Sequence, residues 1–187
     1  MNYSQITDWC HEIMKTRKNE GGLYVDATMG KGNDTEFLCR LAGEKGKVLA
    51  FDIQMEAIEH TRARLGNALL ADRAELILDG HENMDRYLEK ETADIICFNF
   101  GYLPGGDHNV STKPETSIIA ITKALEILKP DGMLSLCIYS GGDSGFAEKD
   151  AVLDYLKKLS SKEYVVIRND YYNRPHHPPI PVFVFKK

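Results

Sequence analysis

The chain has 187 residues, of which 43% are hydrophobic and 27% are charged, a composition typical of one globular domain rather than a disordered chain. Its formal net charge of −5 disfavours a protein that coats nucleic acid through bulk electrostatics, although a small RNA held on a local basic rim remains compatible with it. Four scattered cysteines, no basic leader and no long apolar stretch predict reduced core thiols, no metal site and a cytoplasmic protein outside the membrane.

Short apolar runs alternate with helical patterns along the chain. Residues 4–16 predict an amphipathic helix, because Ile6, Trp9, Cys10 and Ile13 fall on one face. The pattern then predicts alternating strands and helices: a strand over 21–28, a helix over 33–41, a strand over 47–53, a helix over 55–65, a strand over 74–79, a short helix over 82–90 and a strand over 93–100.

The second half of the chain continues this alternation. Pro114 suits the first turn of a helix over 114–128, and the Pro-Asp-Gly sequence at 130–132 predicts a turn. The remaining predicted elements are a strand over 133–140, a helix over 146–160 and strands over 163–172 and 181–187. The segment RPHHPPI between the last two strands is too short for a crossover, so the last strand is expected to run antiparallel to its neighbour.

Strands that alternate with helices and end in a hairpin predict an α/β fold, with a single domain over residues 1–187. The pattern matches the Rossmann-like sheet of class I methyltransferases better than that of dinucleotide dehydrogenases. That sheet has seven mostly parallel strands in the order 3-2-1-4-5-7-6, an antiparallel last strand and helices on both faces. In open sheets of this kind the ligand lies at the carboxyl ends of the strands, which are therefore the predicted site.

The loop after the first strand is rich in glycine, which lets a ligand lie against the main chain. A dinucleotide fingerprint would have its third glycine at Thr35, so this loop disfavours a pyrophosphate. The carboxylate of Asp26 would likewise repel a pyrophosphate but attract the amino group of a methionine moiety. The two residues that begin the next helix either bind the ligand or cap the helix. The predicted cofactor contacts here are Asp26, Thr28, Gly30, Lys31, Gly32, Asn33 and Asp34.

The next two strands also end in polar residues. Asp52 offers two acceptor oxygens to the vicinal hydroxyls of a ribose, or else caps the following helix. Asp79 is suited to accept a hydrogen bond from the exocyclic amine of adenine, and His81 either contacts the same ring or lies at the surface. The predicted cofactor contacts here are Asp52, Ile53, Gln54, Asp79, Gly80 and His81.

The segment FNFGYLPGGD after the fourth strand is the predicted catalytic edge. It is similar to the Asn-Pro-Pro-Tyr turn of amino-group methyltransferases, with Phe-Gly in place of the two prolines. In that turn the asparagine oxygen accepts a hydrogen bond from the target amine. The segment therefore predicts that Asn99 holds the amine and borders the cofactor, that Tyr102 packs on the base, and that Asp107 accepts a proton. The alternative interpretation is a glycine-rich surface loop.

Five segments together resemble the bacterial family labelled rRNA methylases: DATMGKGNDTEFL, AFDIQ, DGHENM, NFGYLPGGD and STKPET. The resemblance extends over nearly the whole chain, including NRPHHPP near its end. It implies a class I fold, S-adenosylmethionine as methyl donor and RNA as substrate. Members of this family are better described as tRNA methyltransferases that convert 5-aminomethyl-(2-thio)uridine at wobble position 34 to its methylaminomethyl form.

The resemblance also implies residue roles. The family's cofactor-contacting positions fall on Lys31, Asn33, Asp52, Gln54 and His81. The lysine is a departure, because family members commonly carry asparagine there. The second departure is a phenylalanine at 100, where leucine is commoner.

An RNA substrate adds expectations about the rim of the site. Under this interpretation the partner is the anticodon stem-loop of a tRNA, whose base meets Tyr102 and Leu103 and whose phosphates meet Lys113 and Arg174. The segment 172–179 has a simpler interpretation as a rigid proline turn that closes the hairpin.

Four other functions and the oligomeric state stay open at this point. The chain could methylate rRNA or a small metabolite, bind the cofactor without catalysis, or act as a dehydrogenase. The set of Asp26, Asp52 and Asn99 disfavours a non-catalytic protein, and Thr35 and the terminal hairpin disfavour a dehydrogenase. A homodimer is one of the oligomeric states that the sequence allows.

Overall fold

A computed structural model describes residues 5–100, 113–139 and 142–187, except for the side chains of 142–145. Its strands are β1 (Leu23–Asp26), β2 (Lys47–Asp52), β3 (Ala74–Leu78), β4 (Ala93–Phe100), β5 (Leu128–Ile138), β6 (Tyr164–Arg168) and β7 (Ile180–Lys186). They form one sheet in the order β3-β2-β1-β4-β5-β7-β6. The first five strands pair in parallel, and β7 is antiparallel to both of its neighbours. The predicted strand order and terminal hairpin are confirmed.

Within the described residues, five α-helices cover the two faces of the sheet: α1 (Ile6–Lys15), α2 (Asn33–Ala42), α3 (Met55–Asn67), α4 (Pro114–Ile127) and α5 (Gly142–Lys157). The apolar stripes of α1 and α2 and the end of α3 bury one face, and α4 and α5 bury the other. Because both faces are covered, the central strand β4 is apolar almost throughout and nearly all of it is buried. Because the first five strands are parallel, their carboxyl ends lie at one edge of this buried sheet.

Two local predictions differ from the structure in their bounds or their setting. The segment predicted as a helix over 82–90 is a shorter 3-10 helix, His81–Arg86, and the Tyr87 hydroxyl that follows it donates a hydrogen bond to the Asp79 carboxylate at 2.9 Å. The residues predicted as a turn, 130–132, lie within the bounds of β5 but are not paired with β4, because Leu128 pairs with Ala93 and Met133 is the next paired residue, and Asp131 has a φ of 63°. The turn-forming residues therefore form an unpaired irregularity, similar to a bulge, within the strand.

The described part of the chain has no helix long and apolar enough to cross a membrane. The cytoplasmic location stays a prediction. Within the same residues no group of three or more histidine, cysteine or acidic side chains is arranged to hold a metal ion. The cysteines are free and buried, as expected for core thiols: Cys10, Cys39, Cys97 and Cys137.

A buried carboxylate ties the end of β1 to the start of α2. Asp26 has no exposed surface, and it accepts hydrogen bonds from the Thr35 hydroxyl at 2.6 Å and the Thr28 amide at 3.2 Å. Burial and the nearby Asp34 carboxylate raise the pKa of Asp26 to about 7. Burying this carboxylate therefore costs stability whenever it is ionised.

The loop between Asp26 and α2 requires glycine at position 32. Gly32 has a φ of +75°, and a Cβ there would lie 2.7 Å from the Thr61 hydroxyl of α3. That hydroxyl donates a hydrogen bond to the Gly30 carbonyl at 3.2 Å. The glycine thus lets α3 pack directly against the loop.

The raised pKa of Asp26 predicts a specific pH dependence of stability. The folded state binds this proton more tightly than the unfolded state, so the contribution is complete below the ordinary pKa of 3.8 and is lost as pH rises through about 7. Asp26→Asn, which resembles the protonated acid, should remove this decline and be more stable than the native protein above pH 7, by about 4 kcal/mol at most, since the pKa rises from 3.8 to about 7 and one pKa unit corresponds to about 1.4 kcal/mol. Urea unfolding of the cofactor-free protein between pH 4 and 8 measures it.

The exposed residue Asp72 supplies a control for removal of one negative charge. Asp72→Asn should leave the shape of the pH profile unchanged. A native protein that gains stability relative to Asp26→Asn over this pH range would contradict the assignment.

Candidate active site

The loop over residues 27–32 crosses the carboxyl ends of three neighbouring strands. The Ala27 amide donates to the Cys97 carbonyl of β4, and the Met29 amide donates to the Phe51 carbonyl of β2, each at 2.9 Å. The Gly30 amide donates to the Asp52 carboxylate at 3.0 Å. These bonds bring the predicted residues of β1, β2 and β4 together at one edge of the sheet.

Asp52 is held with its carboxylate oriented. One oxygen accepts from the Gly30 amide and the other accepts from the Gln54 amide, both at 3.0 Å. The residue that caps α3 is Gln54, so Asp52 does not have the capping role that was the alternative. Each carboxylate oxygen keeps a second lone pair for a ligand hydroxyl. The neighbouring Ile53 is 60% exposed and gives this corner an apolar surface.

The two residues that begin α2 are not its caps either. Gly32 is the capping residue, and Asn33 and Asp34 lie inside the first turn. The Asp34 carboxylate is instead bonded to side chains of two other elements, His11 and Asn99. Asp34 therefore belongs to the polar network of the site.

Asn99 is fixed at two points. Its backbone amide donates to the Thr28 hydroxyl, and its side-chain Nδ2 donates to Asp34 Oδ2, each at 2.6 Å. A carboxylate accepts hydrogen bonds but cannot donate them, so Nδ2 must face Asp34. The orientation of the amide is thereby set, and Oδ1 is the atom it presents to a donor.

The end of β3 presents a partly buried carboxylate, Asp79, and a buried imidazole, His81. Asp79 accepts from the Gly80 amide, the Asn83 side chain and the Tyr87 hydroxyl, and these bonds lower the pKa of Asp79. His81 is only 9% exposed, with its ring edge-on to Phe98 and Phe100, so it is not the surface residue of the alternative interpretation. Burial lowers the pKa of His81, which favours a neutral imidazole at neutral pH.

The remaining predicted residues lie around this edge or outside the described residues. Lys31 is exposed and lines an open cleft with Arg40 and Arg64 between α2 and α3. Lys113 is exposed just before α4, and the Arg174 guanidinium lies 4.4 Å over the Tyr171 ring. Three predicted substrate or catalytic residues lie outside the described residues: Tyr102, Leu103 and Asp107.

Sequence reasoning missed two residues of the site. His11 lies on α1 beside the apolar stripe, and no local motif marks it as a partner of Asp34. Tyr139 directly follows β5, it is 37% exposed, and its amide donates a hydrogen bond to the Phe100 carbonyl at 3.2 Å. The position of Tyr139, an aromatic residue directly after the carboxyl end of a strand, could have indicated from the sequence that it belongs to the site.

Residues 48–185 match the sequence profile of the family described as putative rRNA methylase. A chloroplastic protein of Arabidopsis thaliana named tRNA (mnm(5)s(2)U34)-methyltransferase is 33% identical over 192 aligned positions, which cover 98% of this chain and 70% of that protein. The identity and the 98% coverage show that the two proteins are related along nearly the whole length of this chain.

Solved structures agree with this relationship. The structure of a putative rRNA-methylase from Clostridium thermocellum has a TM-score of 0.96 and 45% identity, with both chains covered completely. A putative methyltransferase from Streptococcus mutans, solved in complex with SAH, has a TM-score of 0.89 and 36% identity over 98% of each chain. The chain therefore belongs to the putative rRNA methylase family and has the fold of class I S-adenosylmethionine-dependent methyltransferases.

Proposed function

We propose that the protein methylates the amino nitrogen of 5-aminomethyl-(2-thio)uridine at wobble position 34 of tRNA. The chain is an S-adenosylmethionine-dependent methyltransferase. The observation that carries the choice of an amine is the Asn99 amide, whose nitrogen is held by Asp34 so that its oxygen is presented as an acceptor. The name of the Arabidopsis relative supports the wobble uridine as target.

The residues present fit the methyl donor. Asp52 has two oriented acceptor oxygens, which suit the two vicinal hydroxyls of a ribose, and the exposed Ile53 beside it suits an adenine face. We assign Gln54, Asp79, Gly80 and His81 to the adenosine end of the cofactor and the glycine loop to its methionine end. When bound, the cofactor supplies an electrophilic methyl group on a sulfonium.

The methionine end is expected to lie against Thr28, Gly30, Lys31, Gly32 and Asn33. A direct contact between Asp26 and the amino group of the cofactor stays a prediction. In this structure both Asp26 oxygens accept hydrogen bonds from threonines, which favours a role in holding the loop. The carboxylate would then act on the cofactor by its charge and through Thr28.

The chain's own residues then orient the nucleophile. A primary amine reacts through its lone pair, so it must reach the site as the neutral base. Asn99 Oδ1 accepts one amine N–H, which aims the lone pair away from the amide and restricts its approach. The secondary ammonium that forms loses a proton to an acceptor, for which Asp107 is the predicted residue. Exclusion of water and in-line alignment supply most of the rate under this proposal.

The RNA is held by a rim that partly offsets the acidic charge of the chain. We assign Tyr102 and Leu103 to the unstacked base, and Lys113 and Arg174 to phosphates of the anticodon stem-loop. One methyltransferase domain over residues 1–187 would carry both substrates in the cytoplasm, as a monomer or a homodimer.

The alternative is an rRNA methyltransferase or a small-molecule amine methyltransferase. The family description and the name of the Clostridium structure favour testing rRNA first. The fold, the donor and the role of Asn99 would be unchanged for an exocyclic amine in rRNA. The rim residues would then be expected to contact a different RNA.

Methyl transfer from labelled S-adenosylmethionine to tRNA tests the proposal directly. The tRNA comes from a strain that lacks the final wobble methylation, and mass spectrometry identifies the nucleosides. Conversion of the 5-aminomethyl nucleoside to its methylaminomethyl form is the expected result. No transfer to this tRNA, with the cofactor still bound, would reject the wobble substrate, and rRNA and small amines would be assayed next.

Asp52→Ala should weaken cofactor binding. The variant loses a charge-assisted hydrogen bond to the ribose, and the dissociation constant should rise by roughly 10- to 150-fold, which corresponds to about 1.5–3 kcal/mol. Titration calorimetry measures it. Glu56→Ala removes an exposed carboxylate from the first turn of α3 and should leave the constant unchanged. Equal affinities of Asp52→Ala and the native protein would reject the assigned contact.

Asn99→Ala should reduce turnover by roughly 100-fold or more, the usual effect of removing one preorganised hydrogen bond at a reacting group. The dissociation constant of the cofactor should change little. Single-turnover kinetics at saturating cofactor measures the effect, and Asn67→Ala at the exposed end of α3 is the control. Normal turnover at saturation combined with weak cofactor binding would show that Asn99 acts on the cofactor instead.

A further inference from the structure

A chain of short hydrogen bonds leads from α1 to the reacting edge of the sheet. His11 Nε2 lies 2.5 Å from Asp34 Oδ1, and Asp34 Oδ2 lies 2.6 Å from Asn99 Nδ2. The His11 and Asp34 side chains are only 19% and 12% exposed. Three elements distant in sequence, α1, α2 and β4, thus meet through one carboxylate.

The two oxygens of Asp34 have different side-chain partners: Oδ1 is bonded to His11 and Oδ2 to Asn99. A carboxylate bonded through one oxygen alone rotates about its last torsion, which is broad and two-fold. A second donor on the other oxygen fixes that rotation, and hydrogen bonds to a charged acceptor in a partly dry site are the stronger kind. The plane of the Asp34 carboxylate is therefore set by His11.

The His11 ring is itself held in place. It stacks on the Phe37 ring with a centroid distance of 3.8 Å and an angle of 2° between the ring planes. Phe37 lies three residues after Asp34, so the two share one face of α2. This helix supplies both the acceptor for Nε2 and the platform for the imidazole.

We propose that His11 is a positioning residue for methyl transfer: through Asp34 it holds the Asn99 amide so that the oxygen, and not the nitrogen, meets the target amine. The inference rests on the proposed function, because it assigns to Asn99 Oδ1 the role of amine acceptor. An amide turned by 180° would present Nδ2 to the amine, and two donors would then face each other. Loss of His11 should lower turnover while the cofactor corner around Asp52 stays intact.

Two substitutions separate the hydrogen bond from the ring. His11→Phe keeps an aromatic ring on Phe37 but has no donor, whereas His11→Gln loses the ring but places an amide N–H near the position of Nε2. Turnover of His11→Phe should fall by about 10- to 100-fold, as for loss of one hydrogen bond to a charged group. The KM for the RNA and the dissociation constant of the cofactor should stay within about threefold of the native values. His11→Gln should recover most of the turnover.

The control is His60→Phe, the same substitution at an exposed histidine of α3, and its turnover should match that of the native protein. Turnover of His11→Phe within threefold of native, or His11→Gln as impaired as His11→Phe, would overturn the inference. Parallel losses of cofactor affinity and melting temperature in His11→Phe would also overturn it, because they would show a merely structural role.

An activity-independent readout keeps this test separate from that of the wobble substrate. The side-chain NH₂ signals of Asn99, assigned by their disappearance in Asn99→Ala, should exchange faster with solvent in His11→Phe than in the native protein. His11→Gln should restore slow exchange. Unchanged exchange in His11→Phe overturns the inference whatever the substrate, whereas failure of the native enzyme on tRNA rejects only the proposed function.

Discussion

The carboxylate buried at the end of β1 is the constraint on which the rest of the site depends. Asp26 accepts hydrogen bonds from Thr28 and Thr35, and it thereby fixes both the start of the loop and the start of α2. The Thr28 hydroxyl in turn accepts a hydrogen bond from the backbone amide of Asn99, and the Gly30 amide of the same loop donates one to the Asp52 carboxylate. The cofactor corner and the amine-holding residue are positioned by one short segment, at the cost of keeping a carboxylate away from water.

Under the proposed function, this arrangement would assign the two tasks of methyl transfer to the ends of β2 and β4, the strands on either side of β1. Asp52 at the end of β2 would hold the ribose of the cofactor, because two backbone amides orient its carboxylate. Asn99 at the end of β4 would orient the nucleophile, because the Asp34 carboxylate holds its nitrogen and leaves its oxygen as the acceptor. Little proton chemistry is needed in such a site, because the roles proposed for Asp52 and Asn99 are to hold and orient the two substrates.

The pattern of the sequence was sufficient for the architecture and for part of the site. Alternating apolar runs and helical patterns predicted an α/β sheet, its similarity to the class I methyltransferase sheet supplied the strand order, and the short segment before β7 predicted the antiparallel direction of that strand; the order and the direction are confirmed. The candidate site residues were predicted from the rule that ligands bind at the carboxyl ends of parallel strands. The His11–Asp34 pair could not be predicted, because it depends on how α1 packs beside α2, which no local spacing encodes. The Pro-Asp-Gly sequence at 130–132 correctly marked a departure from the ladder, but its place inside β5 depends on the pairing of Leu128 and Met133 with β4 on either side, which local turn preference does not encode.

The position of β7 in the sheet has a consequence for how the chain is made. This strand is the last of the seven in sequence, yet it lies between β5 and β6. During synthesis β5 therefore has an unpaired edge, and β6 has no strand to pair with, until β7 emerges. An apolar strand with an open edge is a template for pairing between nascent chains. The interval before β7 pairs is therefore the stage at which this protein is most exposed to aggregation, and chaperone binding would protect it most at that stage.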